Sequence, residues 1–327
     1  MHGTNSNACG MRSRRRFLAD AAGAAAAVGV SGLWVDEKAR GQEGPRDHAR
    51  DVSVFSKCLQ WLDYQGMAEA AAAAGFDGVD LTVRPGGHVL PERVADDLPK
   101  AVEAAAGAGI HIRMIVTAIT DPADAQTETI LKTAGRLGVR YYRLGHFRYN
   151  DADPIMAQLD EIRPRLRDLV AMNRQYGLAA TYQNHAGAAY VGASLWDVHY
   201  LFDGLDPQGI GSQFDIRHAV VEGAMAWPIS LRLLANRINT LTLKDFYWAR
   251  QDNRWRPRNC PLGEGMVDLA GYGRMLNRHG VSGPVSLHLE YPLGGAEHGN
   301  RQIGVPRATV LQAMRSDLRV LRKALES

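Results

Sequence analysis

MAEAAAAAGFDGVDLTVRPGGHV, residues 67–89, contains the unit that repeats along this chain. Its first eight residues are dominated by the strongest helix former, Gly75 supplies the left-handed stop at which helices end, and Gly78–Val83 alternates at the period of a strand. The strand then runs out into polar residues, Thr82, Arg84 and His88. The same succession of helix, glycine, strand and polar end recurs in both directions. It predicts strands at Val52–Ser56, Gly78–Val83, His111–Thr117, Tyr141–Phe147, Ala179–Asn184, Gly211–Ile216, Thr240–Phe246 and Pro284–Tyr291. Helices are predicted between them at Gln65–Ala74, Asp97–Ala108, Thr127–Leu137, Pro154–Tyr176, Leu195–Leu205, Ile229–Ala235 and Leu269–Arg278, several followed by glycine at Gly75, Gly138, Gly177 and Gly280.

Strands that alternate with helices are parallel and joined by crossovers, and eight of them close a barrel. The expected architecture is therefore a single-domain α/β fold, a (β/α)8 TIM barrel over residues 52–327. An open doubly wound sheet shows the same alternation but announces a glycine-rich phosphate loop after its first strand. Here that strand leads into SKCLQWLDYQG at 56–66, which has no such cradle.

The N-terminal Ser13-Arg14-Arg15-Arg16-Phe17-Leu18, followed by an Ala/Gly-rich run to Trp34, resembles a twin-arginine export signal. Residues 1–42 are read as that signal and 43–51 as a tether, so the expected location is the periplasm after passage through the twin-arginine translocase. The run carries Asp20 and is weakly apolar, which predicts cleavage and no stable membrane anchor. The net charge of +3 comes from this segment, which holds six Lys/Arg against three acids. The remainder is neutral and has no basic stripe, which argues against nucleic acid and for a small-molecule partner. The sequence is compatible with a homo-oligomer. Cys58 and Cys260 form no disulfide framework or metal motif, and no role is assigned to them.

In a barrel the reactive groups stand at the carboxyl ends of strands. Those ends carry Asp80, Arg84 and His88 after the second strand, Arg143 and His146 after the fourth, and Gln183, Asn184 and His185 after the fifth. They carry Asp215 and His218 after the sixth, Lys244 after the seventh, and His288 with Glu290 after the eighth. Taken singly, such a residue is more often a helix cap or a loop anchor. Jointly they would gather charge at one end of an apolar barrel, which costs free energy unless a ligand, a metal or mutual pairing offsets it. Arg217 and Asp245 fall on the other faces and read as structural partners. Trp248 is a candidate platform for a sugar face, and Glu264, in the tight PLGEG loop, a candidate pocket acid.

These strand ends resemble the xylose-isomerase-like TIM barrel superfamily of sugar isomerases and epimerases. The resemblance rests on GFDGVDLTV, on FDIRHA as the family's Asp-x-x-His, on LKD at the seventh strand, on GEG at 263–265 and on Glu290. It implies a divalent metal such as Mn or Mg, with Asp215 and Glu290 matching two of its ligands and His218 a substrate-contacting histidine. At the other two ligand positions the chain has Gln183 and Thr242. The expected metal set is thus Asp215, Glu290, Gln183 and His288, the last substituting, while the alternative is a metal-free site in which Lys244 supplies the positive charge.

The chemistry implied is proton abstraction next to a carbonyl on a non-phosphorylated sugar, by a sugar isomerase or epimerase-like enzyme. The expected catalytic residues are Glu290 as base with His218, His185 and Lys244. Arg84, His88, Arg143, His146, Asn184, Trp248 and Glu264 are expected to hold substrate. With Gln183 in place of a second carboxylate, two other readings stay open: a lyase or hydratase acting on keto-glycosides by β-elimination, and a carbohydrate-binding pseudoenzyme. An abasic-site nuclease of the same superfamily is the weakest alternative, because the zinc cluster it needs cannot be assembled.

Overall fold

Eight strands pair in parallel into a closed barrel in the computed structural model, which describes residues 50–326. They are β1 Val52–Phe55, β2 Gly78–Thr82, β3 His111–Val116, β4 Tyr141–Arg143, β5 Ala179–Gln183, β6 Ile210–Asp215 and β7 Ile238–Leu243. An antiparallel ribbon of β8 Asp245–Gln251 and β9 Arg254–Cys260 intervenes before the last barrel strand, β10 Val285–Leu287. Ring closure pairs Val52, Ser53 and Val54 with Val285, Ser286 and Leu287. The helices are α1 Tyr64–Ala74, α2 Val94–Gly107, α3 Thr127–Arg136, α4 Ile155–Tyr176, α5 Leu195–Phe202, α6 Ile216–Gly223, α7 Trp227–Leu234, α8 Leu269–Arg278 and α9 Arg307–Leu325. The proposed export signal and most of the tether lie outside the described residues. Among those described, no helix is long and apolar enough to cross a membrane.

The local chemistry of the repeat unit explains how each turn of the barrel is made. In α1, the Asp63 carboxylate accepts from the Gly66 amide and caps the helix start, and Gly75 ends it at φ +94°. Every residue of β2 is buried, with one side of the strand packed on the helices and the other turned into the barrel. Ser286 on β10 donates to Asp80 on β2 at 2.6 Å although β1 lies between them, so both side chains project into the interior. Period-2 alternation from these residues puts His288 and Glu290 above Ser286, and Lys244 above Thr242, at the carboxyl mouth.

Several elements depart from expectation. The strands are shorter than the apolar runs that mark them, because the residues at the mouth leave the ladder. β4 stops at Arg143: the chain passes so close to β3's exit that a Cβ on Gly145 would sit 2.7 Å from the Ala118 carbonyl oxygen. The expected seventh strand divides at Lys244, with Leu243 closing β7 and Asp245 opening the ribbon. α9 was not anticipated. Its Val310, Met314, Leu318 and Leu321 are buried, and Arg322 donates to the Gly75 carbonyl at 2.9 Å and meets the Asp77 carboxylate at 3.3 Å, locking the last helix to the first repeat.

Candidate active site at the carboxyl mouth

A chain of charged and polar side chains crosses the mouth from β4 to β1. Arg143 donates to Gln183 Oε1 at 2.6 Å, and Gln183 Nε2 donates to Asp215 Oδ2 at 2.8 Å. The Lys244 ammonium lies 3.2 Å from the same Asp215 oxygen and donates to Glu290 Oε2 at 2.8 Å. The other Glu290 oxygen accepts from Lys57 at 2.6 Å. This relay borders a cavity of about 220 Å³ lined by Arg84, Arg143, His146, His185, Lys244 and Glu290, with Phe55, Lys57, Gln183 and His288 completing the wall. Strand-end residues from six strands therefore share one void, as barrel geometry requires of a site.

The electrostatics separate fixed charges from neutral groups. Burial pushes the Glu290 carboxyl up, but Lys244 and Lys57 outweigh it and hold the acid well below its usual range, so it is ionised at neutral pH. Burial raises Asp215, opposed by Lys244 and by the His218 amide. The imidazoles are kept neutral. Burial, then the Lys244 charge, brings His185 down to about 4. Burial, then Arg143, brings His146 down to about 2. His288 is lowered well below its ordinary value by burial and by Lys244, and stacks on Phe55 with ring centroids 4.2 Å apart. The His185 Nδ1–H is spent on the Ala186 carbonyl at 2.9 Å, which leaves Nε2 as an unprotonated nitrogen in the cavity wall. Arg143 Nε, His146 Nδ1, Thr242 Oγ1 and both His288 nitrogens are buried without a hydrogen-bond partner in the protein, a departure from the usual pairing of buried polar atoms.

Five of the expected site residues do other work. His88 is buried below the cavity with both nitrogens bound, Nδ1 3.1 Å from the Ser56 hydroxyl and Nε2 3.2 Å from the Leu59 carbonyl, so it fastens the loops after β1 and β2. Asn184 exchanges two bonds with the Asp215 backbone, at 2.8 and 3.0 Å, which pins β5 to β6. Trp248 stands outside the cavity, 38% exposed and edge-on to Phe246. Glu264 is exposed on its loop; the anchor there is Asp245, whose carboxylate accepts from the amides of Gly263, Gly265, Val267 and Phe246. His218 stands behind the wall: its Nδ1 accepts from the Ala186 amide at 3.1 Å, and its ring packs on His185 at 4.0 Å. It holds His185 and Asp215 in place and is not a cavity acid. Arg217 and Asp245 are not each other's partners: the Arg217 guanidinium lies over the Phe246 ring at 5.2 Å.

The residues at the family's metal positions do not fit a divalent ion. An arginine can only donate, so the Arg143 bond fixes Gln183 with its carbonyl oxygen turned away from Asp215 and its NH₂ turned toward it. Gln183 thus presents hydrogens where a metal needs a lone pair. The two remaining carboxylates, Asp215 and Glu290, converge on the Lys244 ammonium. Among the described residues no three His, Cys, Asp or Glu side chains are gathered as ligands. Of the expected set of Asp215, Glu290, Gln183 and His288, two members are paired with the Lys244 ammonium and a third is turned to donate.

Lys57 was not foreseen. It follows β1 directly, in SKC, and its position after a strand was the available signal. The ribbon was also missed. It overhangs a groove of about 600 Å³ that shares Glu290 with the cavity and is lined by Tyr247, Arg258 and His298 among others. Asn259 ties it down by donating to the Glu290 carbonyl at 3.1 Å.

Comparison with known proteins agrees with the topology. Residues 68–323 match the model of the xylose isomerase-like TIM barrel family. No curated protein sequence matches the chain. Solved structures of the same fold include D-psicose 3-epimerase from Clostridium cellulolyticum H10, determined with D-tagatose, at 14% identity over 85% of this chain and 100% of that one, TM-score 0.64. Escherichia coli 3-keto-D-glucoside 4-epimerase is 13% identical over 84% of this chain and 99% of that one, TM-score 0.62. A xylose isomerase-like barrel protein from Mycobacterium smegmatis, in complex with magnesium, is 15% identical over 85% of this chain and 98% of that one, TM-score 0.60. At these identities the likeness is one of fold.

Proposed function

We propose that this chain, which belongs to the xylose isomerase-like TIM barrel family, is an enzyme that removes a proton next to the carbonyl of a non-phosphorylated sugar, in the manner of a sugar isomerase or epimerase. The observation that carries the reading is the Glu290–Lys244 pair, an ionised carboxylate and an ammonium 2.8 Å apart in the cavity wall. A substrate carbonyl oxygen that takes a hydrogen bond from Lys244 draws the ammonium away from Glu290 Oε2. That oxygen, losing a counterion, gains basicity as the substrate arrives. It then accepts the proton from the adjacent carbon while the electrons move to the carbonyl oxygen, where Lys244 faces the developing negative charge. Glu290 returns the proton to the neighbouring carbon to complete an aldose–ketose exchange, and the neutral His185 Nε2 relays the hydroxyl proton between the two oxygens.

The Gln183 amide, clamped between Arg143 and Asp215, favours one-sided chemistry over a symmetric two-base epimerisation. The second reading is therefore β-elimination from a keto-glycoside, in which one base is sufficient. The twin-arginine motif at Arg14–Phe17 supports work in the periplasm, where free sugars and glycosides are met. Exchange of substrate C–H for solvent deuterium, followed by NMR over a panel of ketosugars and keto-glycosides, tests the reading. The wild-type protein should exchange and Glu290→Gln should lose roughly 10²- to 10⁴-fold of the rate. Sugar binding with no exchange in the wild type would identify a binding protein.

A further inference from the structure

Charge in the cavity does not cancel. Lys57, Arg84, Arg143 and Lys244 line it, whereas Glu290 is the one carboxylate among the lining side chains. Asp215 stands fully buried behind the wall, and Asp80, pushed up to about 6 by burial, lies beneath Arg84 and Arg143. A positive charge remains even with both of these ionised. It is localised on the arginines, because Lys57 and Lys244 already hold Glu290 and Asp215. Arg143 spends one nitrogen on the uncharged Gln183 amide and leaves its Nε buried without a partner. Arg84 is half-buried, and among the described residues its guanidinium has no hydrogen bond or ion pair. Its guanidinium lies 5.7 Å over the Phe55 ring, which offers a π face but no acceptor.

Two guanidiniums facing one void repel each other. Arg143 is brought down to about 10, first by burial and next by the Arg84 charge. The hydroxyls of a neutral sugar can accept their hydrogen bonds but cannot offset the charge, whereas a planar oxyanion does both in the fork geometry that arginine presents.

We propose that the substrate of this site is a sugar-derived carboxylate, of uronate or keto-aldonate type, whose carboxylate binds Arg84 with Arg143 beside it while its carbonyl faces Lys244. The proposal rests on the cavity being the reaction site as read above, and it narrows that reading to acidic sugars. A carboxylate is favoured over a phosphate because two flat guanidiniums form the cradle, and the loop after β1 has no glycine-rich amide nest.

Calorimetry and ligand-stabilised melting of the full protein, with D-glucuronate, D-galacturonate and D-gluconate set against D-glucose, D-galactose and D-glucose 6-phosphate, test it. At least one acid should bind on the order of 10- to 100-fold tighter than its neutral parent, with a preference that shrinks as salt rises. Arg84→Gln should erase that preference with little change in the melting temperature of the free protein, because the Arg84 guanidinium makes no hydrogen bond or ion pair within the described fold and only overlies the Phe55 ring. Acids that bind no better than neutral sugars, or not at all, would overturn the proposal. So would a tighter grip on the phosphate, or an Arg84→Gln variant that keeps the preference. Deuterium exchange separates the two readings. Acid preference without exchange removes the proposed reaction and leaves the carboxylate site standing, and exchange without acid preference does the reverse.

Discussion

Replacing Lys244 with methionine removes the one cation among the described residues that touches both Asp215 and Glu290, and its effect can be worked from four distances. The ammonium is 4% exposed, 2.8 Å from Glu290 and 3.2 Å from Asp215. Breaking a buried pair by deleting one partner costs about 3–5 kcal/mol, because the survivor is left uncompensated. The lower end applies here, since Glu290 keeps Lys57 at 2.6 Å and Asp215 keeps the Gln183 amide at 2.8 Å. A loss of about 3 kcal/mol lowers the melting temperature by roughly 6–12 °C at about 2–4 °C per kcal/mol for a chain of this order of size. The deficit should shrink on acidification. Asp215 is already raised by burial and rises further without Lys244, so the folded variant binds its proton before the unfolded chain does. Stability is then regained as pH falls from neutrality toward the unfolded carboxyl range near ~4. Turnover should fall by roughly 10²- to 10³-fold, the usual effect of removing one donor to a developing oxyanion. Differential scanning calorimetry at several pH values and the exchange assay read both quantities. A variant that melts and turns over like the wild type would refute the idea that this ammonium neutralises the site.

Three further outcomes follow from the same geometry. Dialysis against a chelator, then addition of Mn²⁺ or Mg²⁺, should leave both melting temperature and exchange rate unchanged; metal-dependent turnover would contradict the role given to Lys244. NMR of labelled histidines should find His185 neutral at pH 6 and titrating near 4. Its folded value lies below the unfolded one, so its contribution to stability is complete above about 6.5 and is lost as pH falls toward 4. Asp245→Asn should destabilise the protein by about 1.5–3 kcal/mol, because an amide cannot serve the amides of Gly263, Gly265 and Val267 as an ionised acceptor does, and urea unfolding measures that loss.

The barrel was legible because its strands must be apolar toward the helices, and that demand prints a period on every repeat. The mouth was legible only as a set of polar positions. Arg143, Lys244 and Glu290 look no different in sequence from Asn184 and His88, yet the first three face the void and the last two close backbone gaps. What separates them is where their partners sit, and the partners come from other strands. Lys57 went unseen because a lone lysine after a strand is ordinarily solvated. The ribbon was hidden for a related reason: Arg254–Cys260 is largely exposed and carries Pro257, so burial imposes no alternation on it. α9 carries five charged residues on its outer and intermediate faces, which masked the buried stripe beneath.

The ribbon begins at the residue after Lys244, so an arm that reaches into solvent shares its root with a cation held between two carboxylates. Asp245 acts there as a bulkhead. By gripping the amides of the 263–267 loop, it fixes the root of the arm beside the neighbouring ammonium. Tip residues such as Asn253 and Trp255 are consequently open to exchange by evolution or design, offering a way to retune what enters the groove while the chemistry underneath stays still.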